Sequence, residues 1–143
     1  MWPEHLRWVT GTRYPLDLGA GRPVPLAVFQ QGCLYRNRAI HMLERSARTW
    51  HIAYTSPNLV SIQAAVSAGL GVSILPELAV LSDYRLLGPE EGFPPVPDTE
   101  VALVIAPGAG TATRNLADLL LEFYASARPG VLAGGAERLA RVG

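Results

Sequence analysis

The chain has 143 residues, of which 49% are hydrophobic and 17% charged, and its formal net charge is zero. This composition excludes a disordered chain and favours one apolar-rich globular domain. The charge balance gives no electrostatic case for nucleic-acid binding by the chain alone. Cys33 is the single cysteine, so neither an intrachain disulfide nor a cysteine metal cluster is available. Every basic side chain is Arg, which together with abundant Ala, Gly and Pro reads as coding bias more than function. No apolar run reaches the length of roughly 18 residues that a membrane span needs. Met1 to Arg7 lacks the basic-then-apolar layout of a signal peptide. The expectation is a cytoplasmic protein without a membrane partner.

Leu6–Thr10, with Trp8 and Val9, reads as a first strand, and Gly11 to Pro25 as a loop rich in Gly, Pro and Asp. Leu26–Gln30 is a second strand. Gln31-Gly32-Cys33 then turns the chain into a helix of about fifteen residues by its periodicity. Ile40, Leu43 and Ala47 mark the inner face of that helix, and Arg36, Arg38, Glu44, Arg45 and Arg48 its wet face.

The most informative stretch is Thr49 to Glu77, read as strand, turn, helix, turn, strand. Trp50, Ile52 and Tyr54 alternate with smaller or polar residues along a strand. Ser56 is expected to cap the following helix, with Pro57 at its first position. Leu59, Val60, Ile62, Ala65, Val66 and Ala68 form a broad apolar face. Gly69 suits the left-handed residue that ends a helix, and Val72–Leu75 suits a buried parallel strand stopped by Pro76. In such a βαβ unit the loop Thr55 to Pro57 lies at the carboxyl end of a strand, where ligands bind in open α/β sheets.

Glu77–Leu81 reads as a helical turn and Tyr84–Leu87 as a short strand. Gly88 to Asp98 is a Pro- and Gly-rich loop. Val101–Ala106 reads as a buried strand. Pro107-Gly108-Ala109-Gly110 leads into the strongest helical pattern, with Leu116, Leu119, Leu120, Phe123, Tyr124 and Ala127 on one stripe and Thr111 or Thr113 as cap. Pro129-Gly130 ends it, and residues 129–143 form a Gly/Ala-rich tail expected to be disordered.

Several of these pieces, in this order, resemble the effector-binding domain of LysR-type transcriptional regulators over 1–128. Leu6 to Val9 resembles the family's strand that crosses between two subdomains, and Pro25 to Arg36 the first strand and helix start of the second subdomain. Thr55 to Pro76 is the most specific match, and Val101–Arg128 resembles the return strand and last helix of the first subdomain. Ala-Gly-Leu-Gly-Val-Ser-Ile-Leu-Pro is a pattern shared more widely among type II periplasmic-binding-like domains. The resemblance implies an α/β fold consisting of the second periplasmic-binding-like subdomain plus the return strand and helix of the first.

It also implies a role in sensing a small, anionic effector for transcription regulation, in a homo-oligomer, with no cofactor, no metal and no catalysis. The family's winged helix-turn-helix is absent from these residues, so DNA would be reached only through a segment outside them. Without the partners of the first subdomain, the helix from Thr111 is expected to leave a large exposed apolar patch and to favour self-association. The alternatives are a solute-binding or enzyme-associated fragment of the same fold, or a non-functional truncated regulator.

The resemblance places the effector at Gln31, Gly32 and Cys33 and at Thr55, Ser56 and Pro57, and hinges at Thr10, Gly11, Ala106 and Pro107. Physical chemistry supports both turns, because a strand-to-helix turn offers unpaired N–H groups and a partly positive helix end. The plainer alternatives are that Gly32 only shapes a turn, that Cys33 packs as a small hydrophobe and that Ser56 is only a cap. Gly108-Ala109-Gly110 begins like a dinucleotide fingerprint, but Thr113 replaces the third Gly and no strand follows, so a turn is the better reading. His5, His41 and His51 have neither nucleophile neighbours nor metal-ligand spacing. The cluster Arg36, Arg38, Arg45 and Arg48 reads as a solvated helix face or a subunit contact.

Overall fold

A computed structural model of the chain describes residues 2–126. The expected tail at 129–143, and residues 127 and 128 of the expected final helix, lie outside them. Contacts divide the chain into two units: Leu6–Pro97, and the N-terminal residues through His5 together with those from Asp98 onward.

The Leu6–Pro97 unit is built on β2 (Leu6–Gly11), with the other strands placed around it. Its neighbours β5 (Ser73–Pro76) and β6 (Tyr84–Leu87) both pair antiparallel with it, Trp8 standing opposite Ile74 on one side and Leu87 on the other. β3 (Val24–Val28) and β4 (Trp50–Thr55) form a parallel pair. A single parallel bridge between Leu26 and Val72 joins the pair to the rest, with Ala27 N–H to Val72 O at 2.9 Å and Val72 N–H to Pro25 O at 2.8 Å.

Consecutive strand residues point to opposite faces, and both faces are covered. Trp8, Leu26 and Ile74 enter one core with Leu43 and Phe93, on the side of α1 (Leu34–Arg45). Val9, Ala27 and Leu75 enter the other with Ile62 and Val66 of α2 (Leu59–Ser67). This explains why the strands are apolar without alternation. Fully burying Phe93 alone is worth about 2–3 kcal/mol.

Several sequence expectations are corrected. Val72–Leu75 is buried, but its pairing is mainly antiparallel, because β2 and not β3 supplies its ladder. Helix α1 has 12 residues and ends before Ala47, which has φ 53° and is exposed. Arg48 is not on a wet face: its guanidinium lies 4.8 Å from the Phe93 ring centroid and donates to Glu91 O and Leu18 O. The chain has already left the helix there, so helical periodicity no longer applies. Ser56 does not cap α2 and Pro57 is not its first residue. Asn58 is the cap, its Oδ1 accepting the Val60 N–H at 2.9 Å, because Ser56 is still held by the sheet. Gly69 does close this helix with φ 74°.

In the other unit, β1 (Trp2–Glu4) pairs antiparallel with β7 (Thr99–Val101), and α3 (Thr111–Ser126) follows. Trp2 is buried and its ring lies 5.2 Å from that of Tyr124. Of the buried strand expected over Val101–Ala106 only Val101 lies in β7, which starts two residues earlier and is limited to the three partners that β1 offers; Ala102, Val104 and Ala106 are exposed. Val104 is 70% exposed. Helix α3 starts at Thr111, so neither Thr111 nor Thr113 precedes it as a cap, and Arg114 N–H bonds to Gly110 O at 3.1 Å. Ala117 and Leu121 are its buried residues, whereas Leu116, Leu119, Leu120 and Phe123 are exposed, as expected of an uncovered stripe.

Candidate functional site

Val28 and Thr55 are partners at the ends of the parallel pair β3–β4, so both strands stop at the same edge of the sheet. Each is followed by a turn and a helix. Gln31-Gly32-Cys33 leads into α1, and Thr55-Ser56-Pro57 leads through Asn58 into α2. The two candidate turns therefore stand side by side at the carboxyl edge of neighbouring strands, with two helix amino ends above them.

Hydrogen bonds fix the edge. Ser56 N–H donates to Val28 O at 3.1 Å, one residue past the last strand pair. The buried Ser56 hydroxyl oxygen accepts the Asn58 N–H at 3.1 Å. Arg36, in the first turn of α1, reaches back to donate to Phe29 O at 3.1 Å. Gly32 has φ 89°, a left-handed conformation, and a Cβ there would meet nothing within 4 Å. Its glycine is thus demanded by the backbone and leaves open space above the turn. Gln31 and Thr55 are exposed, Cys33 is half-buried and makes no side-chain cap.

A bulge sets the direction of Thr55. Leu26 stands opposite Ile52 but Ala27 opposite Tyr54, so Ala53 is an extra residue in β4. Trp50 and Ile52 pack on the α1 side, and Tyr54 packs on the α2 side, although strict alternation would put all three on one face. Thr55, paired with Val28, then points to the α1 side, toward which the Gln31 turn leads. Bulges commonly re-aim a side chain beside a functional site. The sequence shows no signal for it, since an inserted residue looks like any other.

The electrostatics suit an anion. Neither α1 nor α2 has an acidic residue in its first turn, so no side chain competes for the partial positive charge of the two helix ends. Arg36 adds a cation at the same edge. Among the described residues no three His, Cys, Asp or Glu side chains gather to hold a metal. His41 and His51 are exposed, and His5 Nδ1 lies 2.8 Å from Asp98 Oδ2.

Of the four hinge residues expected, Thr10 and Gly11 lie inside β2, opposite Arg85 and Tyr84. Ala106 and Pro107 are exposed between β7 and α3. The chain passes from one unit to the other at His5–Leu6 and Pro97–Asp98. The residues that sequence reasoning missed are Asn58 and Arg36. Asn58 has a legible signal, a cap-forming residue immediately before the apolar face of α2.

Residues 1–125 match the family model described as LysR substrate binding domain. The chain is similar to the HTH-type transcriptional regulator PecT of Dickeya dadantii (strain 3937), 35% identical over 83 residues, which are 58% of this chain and 26% of that protein. It is also similar to the hydrogen peroxide-inducible genes activator of Haemophilus influenzae, 25% identical over 113 residues, covering 78% of this chain and 37% of that protein. The chain thus spans about a quarter to a third of these curated relatives. Its fold is similar to the bromide-bound regulatory domain of HypT from Salmonella typhimurium, with a TM-score of 0.59 and 14% identity over 85% of this chain and 61% of that one.

Proposed function

This chain belongs to the LysR substrate-binding domain family, and we propose that it carries the effector-sensing function of a transcription regulator by holding a small anion between the Gln31-Gly32-Cys33 and Thr55-Ser56-Pro57 turns. The observation that supports this reading most is the pairing of Val28 with Thr55, which sets two helix amino ends free of acidic residues side by side. Backbone N–H groups of the first turns would receive the anion. Gln31 and the Thr55 hydroxyl would orient it, and Gly32 would allow it close to the backbone.

In this role the chain binds and does not transform its ligand. An effector that favours one arrangement of the regulator over another shifts its population by the difference in affinity, and no cofactor is needed. DNA would be reached through a part of the regulator outside the described residues, where no two helices follow each other without an intervening strand, as a helix-turn-helix requires. The regulator would act in the cytoplasm as a homo-oligomer. Among the described residues no helix is long and apolar enough to cross a membrane.

Titration calorimetry of the chain against halides and short carboxylates tests the reading. We expect saturable binding of at least one anion, weakened about tenfold or more in Gln31→Ala and Thr55→Val, each of which removes one charge-assisted hydrogen bond. Equal affinity in both variants and the parent would overturn it.

A further inference from the structure

The opposite pole of the same unit carries a second concavity. Helix α1 spans roughly 18 Å, and beyond its carboxyl end the chain enters a groove of about 630 Å³ at the amino edge of β3 and β4. This volume lies within the roughly 300–1,000 Å³ range of small-ligand sites. It is lined by the β2–β3 loop on one side and by the turn at Glu90, Glu91 and Gly92 on the other.

Arg48 spans the groove. It donates to Leu18 O at 3.0 Å and to Glu91 O at 2.9 Å and lies over Phe93. These contacts fix its position without exhausting it, because a guanidinium has five N–H donors. The backbone makes room for it: Gly92 has φ 83°, and a Cβ there would lie 2.6 Å from Arg48 Nη1. Arg85 also lines the groove, and its charge is met by Glu91 at 2.5 Å. Glu90, exposed, supplies a carboxylate beside it. Leu16 and Leu18 form an apolar wall continuous with the core. The groove thus has an anchored cation, a carboxylate and an apolar surface, with Arg85 and Glu91 already neutralising each other.

We propose that this groove is a ligand site separate from the carboxyl-edge turns, and that it takes a small zwitterion with an aliphatic side chain, such as an aliphatic α-amino acid. The ligand carboxylate meets the remaining Arg48 donors, its ammonium meets Glu90, and its side chain lies on Leu16 and Leu18. A singly charged ligand satisfies only one of the two, and leaves the other facing it as a like charge or without a partner.

Calorimetric titration of the whole chain with L-leucine, 4-methylpentanoate and 3-methylbutylamine tests this. L-leucine is expected to bind saturably, and each singly charged analogue about tenfold more weakly, the loss of one charge-assisted contact. Glu90→Gln, at an exposed position, should weaken L-leucine about fivefold or more and leave 4-methylpentanoate no weaker. Ala20→Trp, also exposed and in the wall, should abolish binding by filling the groove while circular dichroism stays unchanged. Equal affinity for L-leucine and 4-methylpentanoate, undiminished L-leucine binding in either variant, or no saturable binding of L-leucine would each overturn the proposal.

Discussion

The Ser56 N–H donates to the Val28 carbonyl at 3.1 Å, and through this bond the exit of β4 is locked to the exit of β3. The candidate site depends on that lock. It holds Ser56 in the sheet, passes the capping role to Asn58 and keeps the amino end of α2 beside the turn that opens α1. A chain that capped at Ser56 would begin its helix earlier and would carry Thr55 out of the ladder.

Asn58 therefore bears the capping energy. Asn58→Ala should lower the unfolding free energy by about 1 kcal/mol, and Asn58→Asp should keep most of it, since both Asn and Asp accept from the helix N–H groups. Urea denaturation at neutral pH measures this, and an unchanged midpoint in Asn58→Ala would reassign the cap.

Two neighbours in β2 respond in opposite directions. The Thr10 hydroxyl is buried with no hydrogen-bond partner, so Thr10→Val should stabilise the chain by about 1 kcal/mol. A Cβ at Gly11 would lie 2.4 Å from the Val66 carbonyl oxygen, so Gly11→Ala must push α2 away from the strand. That overpacking should cost about 1–3 kcal/mol. The same denaturation series separates the two signs.

Tyr84 sets an alkaline limit. Burial, with a smaller contribution from the nearby Asp83 carboxylate, pushes its pKa up from 10.0 to about 12, against a hydrogen bond with Ser67 that lowers it. Its hydroxyl donates to Gln63 O at 2.7 Å, a bond lost on ionisation. The unfolded chain then releases this proton before the folded one does. The stabilisation is fully present below pH 10 and is lost as pH rises toward 12. Tyr84→Phe should lower stability by about 1 kcal/mol at neutral pH and flatten the loss above pH 10, as followed by thermal unfolding across pH.

The two faces of α3 should answer the same mutation differently. Leu119 is 63% exposed and Leu121 is buried. Leu119→Glu should leave the helix intact and reduce self-association in sedimentation velocity, because it breaks the exposed stripe of Leu116, Leu120 and Phe123. Leu121→Glu should unfold the unit, as an unpaired charge is forced into an apolar contact.

Periodicity and turn chemistry were enough to place β2, β6, α2 and the left-handed close at Gly69, because these features are local. Family resemblance correctly placed the chain among LysR-type domains through the ordered match at Pro25–Arg36 and Thr55–Pro76. What stayed hidden depends on contacts far apart in the chain. The bulge at Ala53 follows from the register with β3. The half-buried position of Arg48 follows from its contacts with Phe93, Glu91 and Leu18. The groove at Arg48 was illegible for the same reason, since its walls come from four separate stretches of sequence.

The most direct measurement is an amide NMR titration of the chain with the anion that binds most tightly. An anion held between the two turns gives saturating shifts at Gly32, Cys33 and Leu34 and at Ser56 and Asn58, moving together with one dissociation constant. Shifts confined to other parts of the chain, with these amides unmoved, would contradict that placement.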